Sequence, residues 1–172
     1  MSSSHNSTNL TIQDSLEKQH LHWSKTKLKI AAHSSWFPPF VKEGQVWWCQ
    51  IGKNIGVEVN GRNKKDSHKQ VFFRPVLILK KYNKRQALVI PLTESNKLGI
   101  FYSNFSFQGK ISTAILSQAR TIDFKRLSAE NGESIGEVSD LEYQKIMNNF
   151  INLMMNNTKK PQTKNLSNRE VK

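Results

Sequence analysis

The sequence predicts a mainly β (α+β) fold: a small β-barrel of five to seven strands with a C-terminal helix and an N-terminal helical extension. Three observations carry this. Short runs rich in Val, Ile, Phe and Trp follow one another between residues 44 and 138, separated by Gly, Asn and Lys turns. One amphipathic helical pattern precedes them and a clearer one follows. Strands do not alternate with helices, and neither G-x-G-x-x-G nor G-x-x-x-x-G-K-[ST] occurs, which argues against a doubly wound or P-loop fold.

The first eleven residues are rich in Ser, Asn and Thr and are expected to be disordered. Ile12, Leu16, Trp23 and Ile30, with Lys27 in register, fall near helical spacing, and Lys18, Lys25 and Lys29 take the polar face. HSSWFPPF (33–40) ends that helix because its prolines deny continuation, and Trp36, Phe37 and Phe40 are expected to strap onto a core. GQVWWCQIG (44–52) reads as a strand, followed by a long polar loop over 53–70. VFFRPVLILKK (71–81) and QALVIPL (86–92) read as a hairpin turning at YNKR. IFYSNFSF (100–107) and ISTAILS (111–117) are further strands, SQARTIDFKRL (117–127) a strand end and turn, and GESIGEV (132–138) a short edge strand.

The last element has the strongest signature. Ser139 at the N-cap and Glu142 three residues on form a capping box. It opens a helix with Leu141, Ile146, Phe150, Leu153 and Met154 expected on one face. The tail from Asn157 is expected to be disordered. The organisation that follows is an extension over 1–40, a barrel domain over 41–156 and a basic tail over 157–172.

At 172 residues the chain is long enough to bury a core without staples. Twenty-six Lys and Arg against 13 Asp and Glu give a formal net charge of +13. A surplus of this size points to a polyanionic partner: nucleic acid first, an acidic protein second, an anionic membrane surface third. Basic residues concentrate between Asn60 and Arg85, where Asp66 is the lone acid and Phe72, Phe73 and Tyr82 are interleaved. No apolar run approaches the ~18 residues of a membrane span, and the N-terminus lacks a signal-peptide pattern, so a soluble cytoplasmic protein is expected.

Metal and thiol chemistry find little support. None of the five histidines (His5, His20, His22, His33, His68) has a second His or a carboxylate at ligand spacing, so no metal and no cofactor are expected. Cys49 sits in an apolar Trp-rich run and reads as a small buried hydrophobe. No G-x-S-x-G is present. What remains is polar residues at strand ends. Arg74 interrupts VFF-R-PVLIL, where an unpaired guanidinium is costly to bury; it must reach an acid, a phosphate or solvent. Thr93 ends VIPLT, Glu58 lies in the glycine-flanked loop, and Gln118, Arg120, Thr121 and Asp123 cluster after the ILS run. An internal Arg–carboxylate pair and a phosphate site both satisfy these residues.

Taken in order, G-Q-V-W-W-C-Q-I-G (44–52), Gly56-Val57-Glu58, Arg74-P-V-L-I-L, V-I-P-L-Thr93, S-Gln118-A-Arg120-T-I-Asp123-x-x-Arg126-L and I-G-E-V-S-x-x-E (135–142) resemble the blocks of the MazF/PemK family of type II toxins, over about residues 42–155. The resemblance implies an SH3-like barrel with a C-terminal helix and a homodimer. It implies metal-independent endoribonuclease activity on single-stranded RNA, neutralised by a cognate acidic antitoxin. It also implies attack by the RNA 2′-hydroxyl on its own phosphate, giving a 2′,3′-cyclic phosphate and a 5′-hydroxyl. By motif position Arg74 and Thr93 are the catalytic candidates. Arg74 would stabilise developing charge, since a guanidinium is a poor base, and Thr93 would hydrogen-bond a phosphate oxygen. Glu58, Gln118 and Arg120, with Lys64, Lys65 and Lys69 of the basic loop, are the substrate-binding candidates. The PemK-like branch places a His, an Arg and an Asp where this chain has Val57, Ile115 and Ser117, so that version of the site is missing. A gyrase-binding toxin of the same fold, resembling CcdB, and a noncatalytic RNA-binding module are the alternatives.

Overall fold

The computed structural model describes residues 3–32, 38, 40–61, 72–128 and 134–155, with side chains in the first helix from residue 13 onward. The elements run α1 (Ser3–Ala32), β1 (Gln45–Gln50), β2 (Phe73–Lys81), β3 (Gln86–Thr93), β4 (Tyr102–Phe107), β5 (Lys110–Ile115), a 3-10 turn (Leu116–Gln118), β6 (Arg120–Asp123), a second 3-10 turn (Phe124–Arg126), β7 (Leu127–Ser128), β8 (Gly136–Glu137) and α2 (Asp140–Met154).

The expected β2–β3 hairpin is present, with Lys81 opposite Ala87 and Tyr82 N–H donating to the Gln86 carbonyl across the turn. All described pairings are antiparallel, in the order β4-β5-β3-β2-β1-β7, with β6 beside β3 and β8 beside β1. Eight strands form rather than five to seven, because 117–127 yields both β6 and β7. Among the described residues β4 and β7 do not pair, so the sheet of the small barrel is not closed. β7 and β8 are two residues each, too short to carry a closing ladder.

One edge of β3 serves two strands in succession. Residues 86–89 pair with β6, and Leu92 and Thr93 pair with β5. The sheet thereby separates two cores. On one face lie Val41, Trp47, Cys49, Val76, Ile78, Val89, Ile122 and Phe124. On the other lie Val46, Leu77, Leu79, Ile90, Leu92, Phe105, Leu116 and Ile146. A strand buried on both faces needs continuous rather than alternating apolar residues. Val76, Leu77, Ile78 and Leu79 meet that need, each no more than 1% exposed.

α2 seals the second core with Tyr143, Ile146, Met147, Phe150 and Leu153, spaced i, i+3, i+4, i+7 and i+10. The expected face was partly wrong: Leu141 and Met154 point to solvent, whereas Tyr143 and Met147 pack inward. Tyr143 Oη donates to the Leu79 carbonyl at 2.7 Å, beside the irregularity in the β2–β3 ladder between Ile78 and Lys80. Burial, and then the Glu43 carboxylate, push this phenol up to about 12. The capping box is half made. Ser139 Oγ accepts from Glu142 N–H, but the Glu142 carboxylate accepts from Ser106 N–H of β4 and from Lys145 Nζ. A tertiary donor has taken the place of the N-cap amide.

Two expectations at the N-terminus also change. α1 starts at Ser3, so the segment expected to be disordered is helical; extending a nucleated helix is far easier than starting one. Phe40 is 75% exposed, and Val41 enters the core instead. Trp36, Phe37 and the tail from residue 156 lie outside the described residues. No helix among the described residues is long and apolar enough to cross a membrane.

Candidate active site

Arg74 is 8% exposed at the start of β2. Its Nε donates to the Asn60 carbonyl at 2.7 Å and its Nη1 to the Leu92 carbonyl at 3.1 Å. These two partners are backbone oxygens rather than carboxylates. They hold the guanidinium at two points, one on the loop after β1 and one at the end of β3.

Thr93 lies in the same place. The β2–β3 register runs as far as Val76 opposite Pro91; continued for two residues, it would set Arg74 opposite Thr93, next to the Leu92 carbonyl that Arg74 holds. Cys49 pairs with Arg74 on the other side, and Thr93 pairs with Thr113, which pairs with Asn104. Directly paired residues project to one face. A row therefore crosses the sheet: Cys49, Arg74, Thr93, Thr113, Asn104. Cys49, Arg74 and Thr113 are buried, and Thr93 and Asn104 are half-buried. Burial pushes the Cys49 thiol up to about 12 against the opposing pull of Arg126 and Arg120, so it is inert. Thr113 Oγ1 donates to Asn104 Oδ1, and Asn104 Nδ2 donates to Asn96 Oδ1 at 2.7 Å and the Lys97 carbonyl at 3.1 Å. Thr113 and Asn104 were missed from the sequence. Thr113 is a visible polar break in ISTAIL, but its alignment with Thr93 is a cross-strand fact.

The loop after β1 is pinned from two sides. Arg74 holds the Asn60 carbonyl, and Gln118 Oε1 accepts from Val59 N–H at 3.1 Å. Asn54 braces it internally, its Nδ2 donating to the Val59 carbonyl at 2.6 Å. Gln118 is thus a scaffold contact in the free protein. The Glu58 side chain is exposed and closes its own turn, its Oε2 accepting from Ile55 N–H at 3.4 Å. Arg120 pairs with Val89 and lies along β6 near Cys49. Lys64, Lys65 and Lys69 lie outside the described residues. Val57 is 95% exposed and Ile115 is 8% exposed, and neither carries a titratable group.

Where the chain returns to β2, Phe72 takes φ +49°, a left-handed conformation costing a non-glycine residue roughly 1–2 kcal/mol. Its ring is buried, which offsets the strain.

A cleft of about 560 Å³ opens beside Thr93, lined among others by Trp48, Pro75, Leu92, Phe107 and Lys110. Trp48, Pro75 and Leu92 alternate with Cys49, Arg74 and Thr93, so they project from the other face of the sheet. Of the two catalytic candidates, Thr93 lines this cleft and Arg74 does not. Among the described residues no three His, Cys, Asp or Glu side chains gather where they could hold a metal.

No curated protein is significantly similar in sequence. Solved structures similar to the chain include an endoribonuclease in complex with its cognate antitoxin from a Mycobacterial species, at 14% identity and a TM-score of 0.45, covering 66% of this chain and 97% of that one. Another is MazE–MazF from Deinococcus radiodurans, at 18% identity and a TM-score of 0.47, covering 67% and 97%. The family of PemK-like, MazF-like toxins of type II toxin–antitoxin systems matches residues 42–154, about two-thirds of the chain. The chain belongs to that family.

Proposed function

We propose that the protein is an endoribonuclease that cleaves single-stranded RNA without a metal, with Arg74 and Thr93 at the reacting phosphate. The 2′-oxygen forms a bond to phosphorus, the P–O5′ bond breaks, and the products are a 2′,3′-cyclic phosphate and a 5′-hydroxyl. The net reaction moves one proton from the 2′-hydroxyl to the leaving 5′-oxygen and consumes no water. Negative charge grows on the non-bridging oxygens as the fifth bond forms. A cation already fixed in place stabilises that charge with little reorganisation.

The observation that carries this reading is the placement of Arg74: nearly buried and clamped by two carbonyls, one of them that of Leu92, the residue before Thr93. The hydroxyl of Thr93, half-buried at the strand end, is the neutral donor for a phosphate oxygen. Arg120, Gln118, Glu58 and the lysines of the basic loop bind the flanking RNA, supported by the net charge of +13. The active form is a cytoplasmic homodimer, and its natural inhibitor is a cognate antitoxin with an acidic segment suited to this surface.

The test is a long single-stranded RNA in excess EDTA with end-group analysis of the fragments, comparing wild type, Thr93→Val and Arg74→Ala. Cyclic 2′,3′-phosphate ends that disappear in Arg74→Ala and fall roughly 10²–10³-fold in Thr93→Val are expected. Intact RNA from folded wild-type protein that still binds it in a salt-sensitive manner would sink the nuclease assignment in favour of a noncatalytic binding module.

A further inference from the structure

α1 lies ahead of the family-matched segment, which begins at residue 42. Among its described side chains, residues 13–32, Trp23 alone is buried, at 5% exposure; Leu16, Leu21 and Leu28 face solvent. The helix therefore does not bury a broad apolar stripe. It delivers one indole to one place.

That place is the junction where the loop after β1 leaves and returns. The indole fills the space that a Cβ on Gly52 would need: such an atom would meet Cε2, Cζ2 and Nε1 of Trp23 at 2.0, 2.3 and 2.4 Å. Gly52 N–H donates to the Phe72 carbonyl at 3.3 Å, and its own carbonyl accepts from Gly61 N–H at 2.8 Å. Gly61 in turn sits so close to Phe72 that a Cβ there would lie 1.7 Å from its carbonyl oxygen. The Phe72 ring meets Trp23 edge-on, with centroids 5.9 Å apart at 73°. Arg126 lies over the indole at 5.7 Å and donates to the Gln50 carbonyl at 3.1 Å. Lys125 Nζ holds the Ala31 carbonyl at 3.2 Å near the end of the helix.

The catalytic candidate starts from this junction. One residue before Gly61 is Asn60, whose carbonyl Arg74 holds; two residues after Phe72 is Arg74 itself. We infer that Trp23 is a positioning residue: the N-terminal helix presses its indole onto the Gly52–Gly61–Phe72 junction and so fixes Arg74 and the Asn60 carbonyl that orients it. The proposal rests on Arg74 being the reacting-site cation. A shift of about 1 Å at such a group is enough to cost on the order of 10²-fold in rate.

The experiment uses the full chain and two readouts: site-resolved amide hydrogen exchange, and RNA cleavage kinetics in EDTA below the melting temperature. Exchange is independent of catalysis. Trp23→Ala is expected to speed exchange at Gly52 and Gly61 at least about tenfold, leaving Ile78 and Val89 protected. It is expected to lower kcat roughly 10- to 100-fold with KM nearly unchanged. Trp23→Phe, which keeps a flat ring against Gly52, restores most of the rate, and Leu28→Ala on the exposed side of the helix changes neither readout. Unaltered exchange at Gly52 and Gly61, local loosening without loss of kcat, or uniform loosening through the core strands each overturns the proposal. Should Trp23→Ala fail to fold, Trp23→Leu is read by the same criteria. If the wild type does not cleave RNA, the nuclease reading has failed, and exchange alone decides: local loosening supports the positioning role, and its absence removes it.

Discussion

Arg74→Lys separates the charge of this side chain from its shape. Arginine spans two acceptors on different segments, the Asn60 carbonyl at 2.7 Å and the Leu92 carbonyl at 3.1 Å. Lysine keeps the charge but presents it as one ammonium on a flexible stem, which cannot reproduce a planar fork. The Leu92 residue is 3% exposed, so water has little access to a carbonyl left without its donor. A hydrogen bond to a charged group contributes about 1.5–3 kcal/mol. Losing one of the pair should destabilise the protein by about that amount, and at about 2–4 °C per kcal/mol for a chain of this size the Tm should fall by roughly 3–12 °C. Cleavage should fall by roughly 10²–10³-fold because the cation no longer sits where charge develops. Thermal melting by circular dichroism and the EDTA cleavage assay read the two effects separately. A Tm within about 1 °C of wild type would refute the clamp. Wild-type cleavage by a destabilised variant would refute the catalytic assignment.

Three further outcomes are expected. Thr113→Val keeps the side-chain shape but leaves Asn104 Oδ1 without the Thr113 hydroxyl, so stability measured by urea unfolding should fall by about 1–3 kcal/mol. Glu142 is held below the usual carboxylate range, chiefly by the Ser106 amide. A depressed folded-state value stabilises the fold above the unfolded value of about 4.3 and is lost as pH falls through the folded one. Glu142→Gln should therefore flatten acid unfolding in that window, seen as a smaller loss of Tm between about pH 5 and pH 3. The Cys49 thiol, fully buried with its pKa pushed up to about 12, should resist an aromatic disulfide reagent at pH 8 in the native state and react at once in denaturant.

Local chemistry was legible where one segment carried the whole signal. The Ser139 cap, the β2–β3 hairpin and the apolar 76–79 run each depend on residues adjacent in the chain, so spacing and residue type suffice. Arg74 and Thr93 are legible through their place in the order of the family's blocks, and Arg74 also through the awkwardness of a guanidinium in an apolar run. Their proximity is a cross-strand fact, seen in the bond from Arg74 to the Leu92 carbonyl. The errors have one origin. Leu141 and Tyr143 both fit a helical face, and only the neighbouring strands decide which is covered. Glu142 suits the third helical position of a capping box, but a strand amide 36 residues away competes for its carboxylate.

The sequence by itself determined that this is a basic, strand-rich chain with a capped helix after its strands and a family's blocks in order, because composition, periodicity and turn chemistry are properties of contiguous residues. Only the tertiary structure decided that the sheet stays open, that Thr113 and Asn104 extend the row of Arg74 and Thr93, and that a tryptophan far upstream packs against Gly52 and Phe72. Those outcomes depend on which distant segments exclude water from one another, and a glycine's missing Cβ has meaning only once its neighbour is in place.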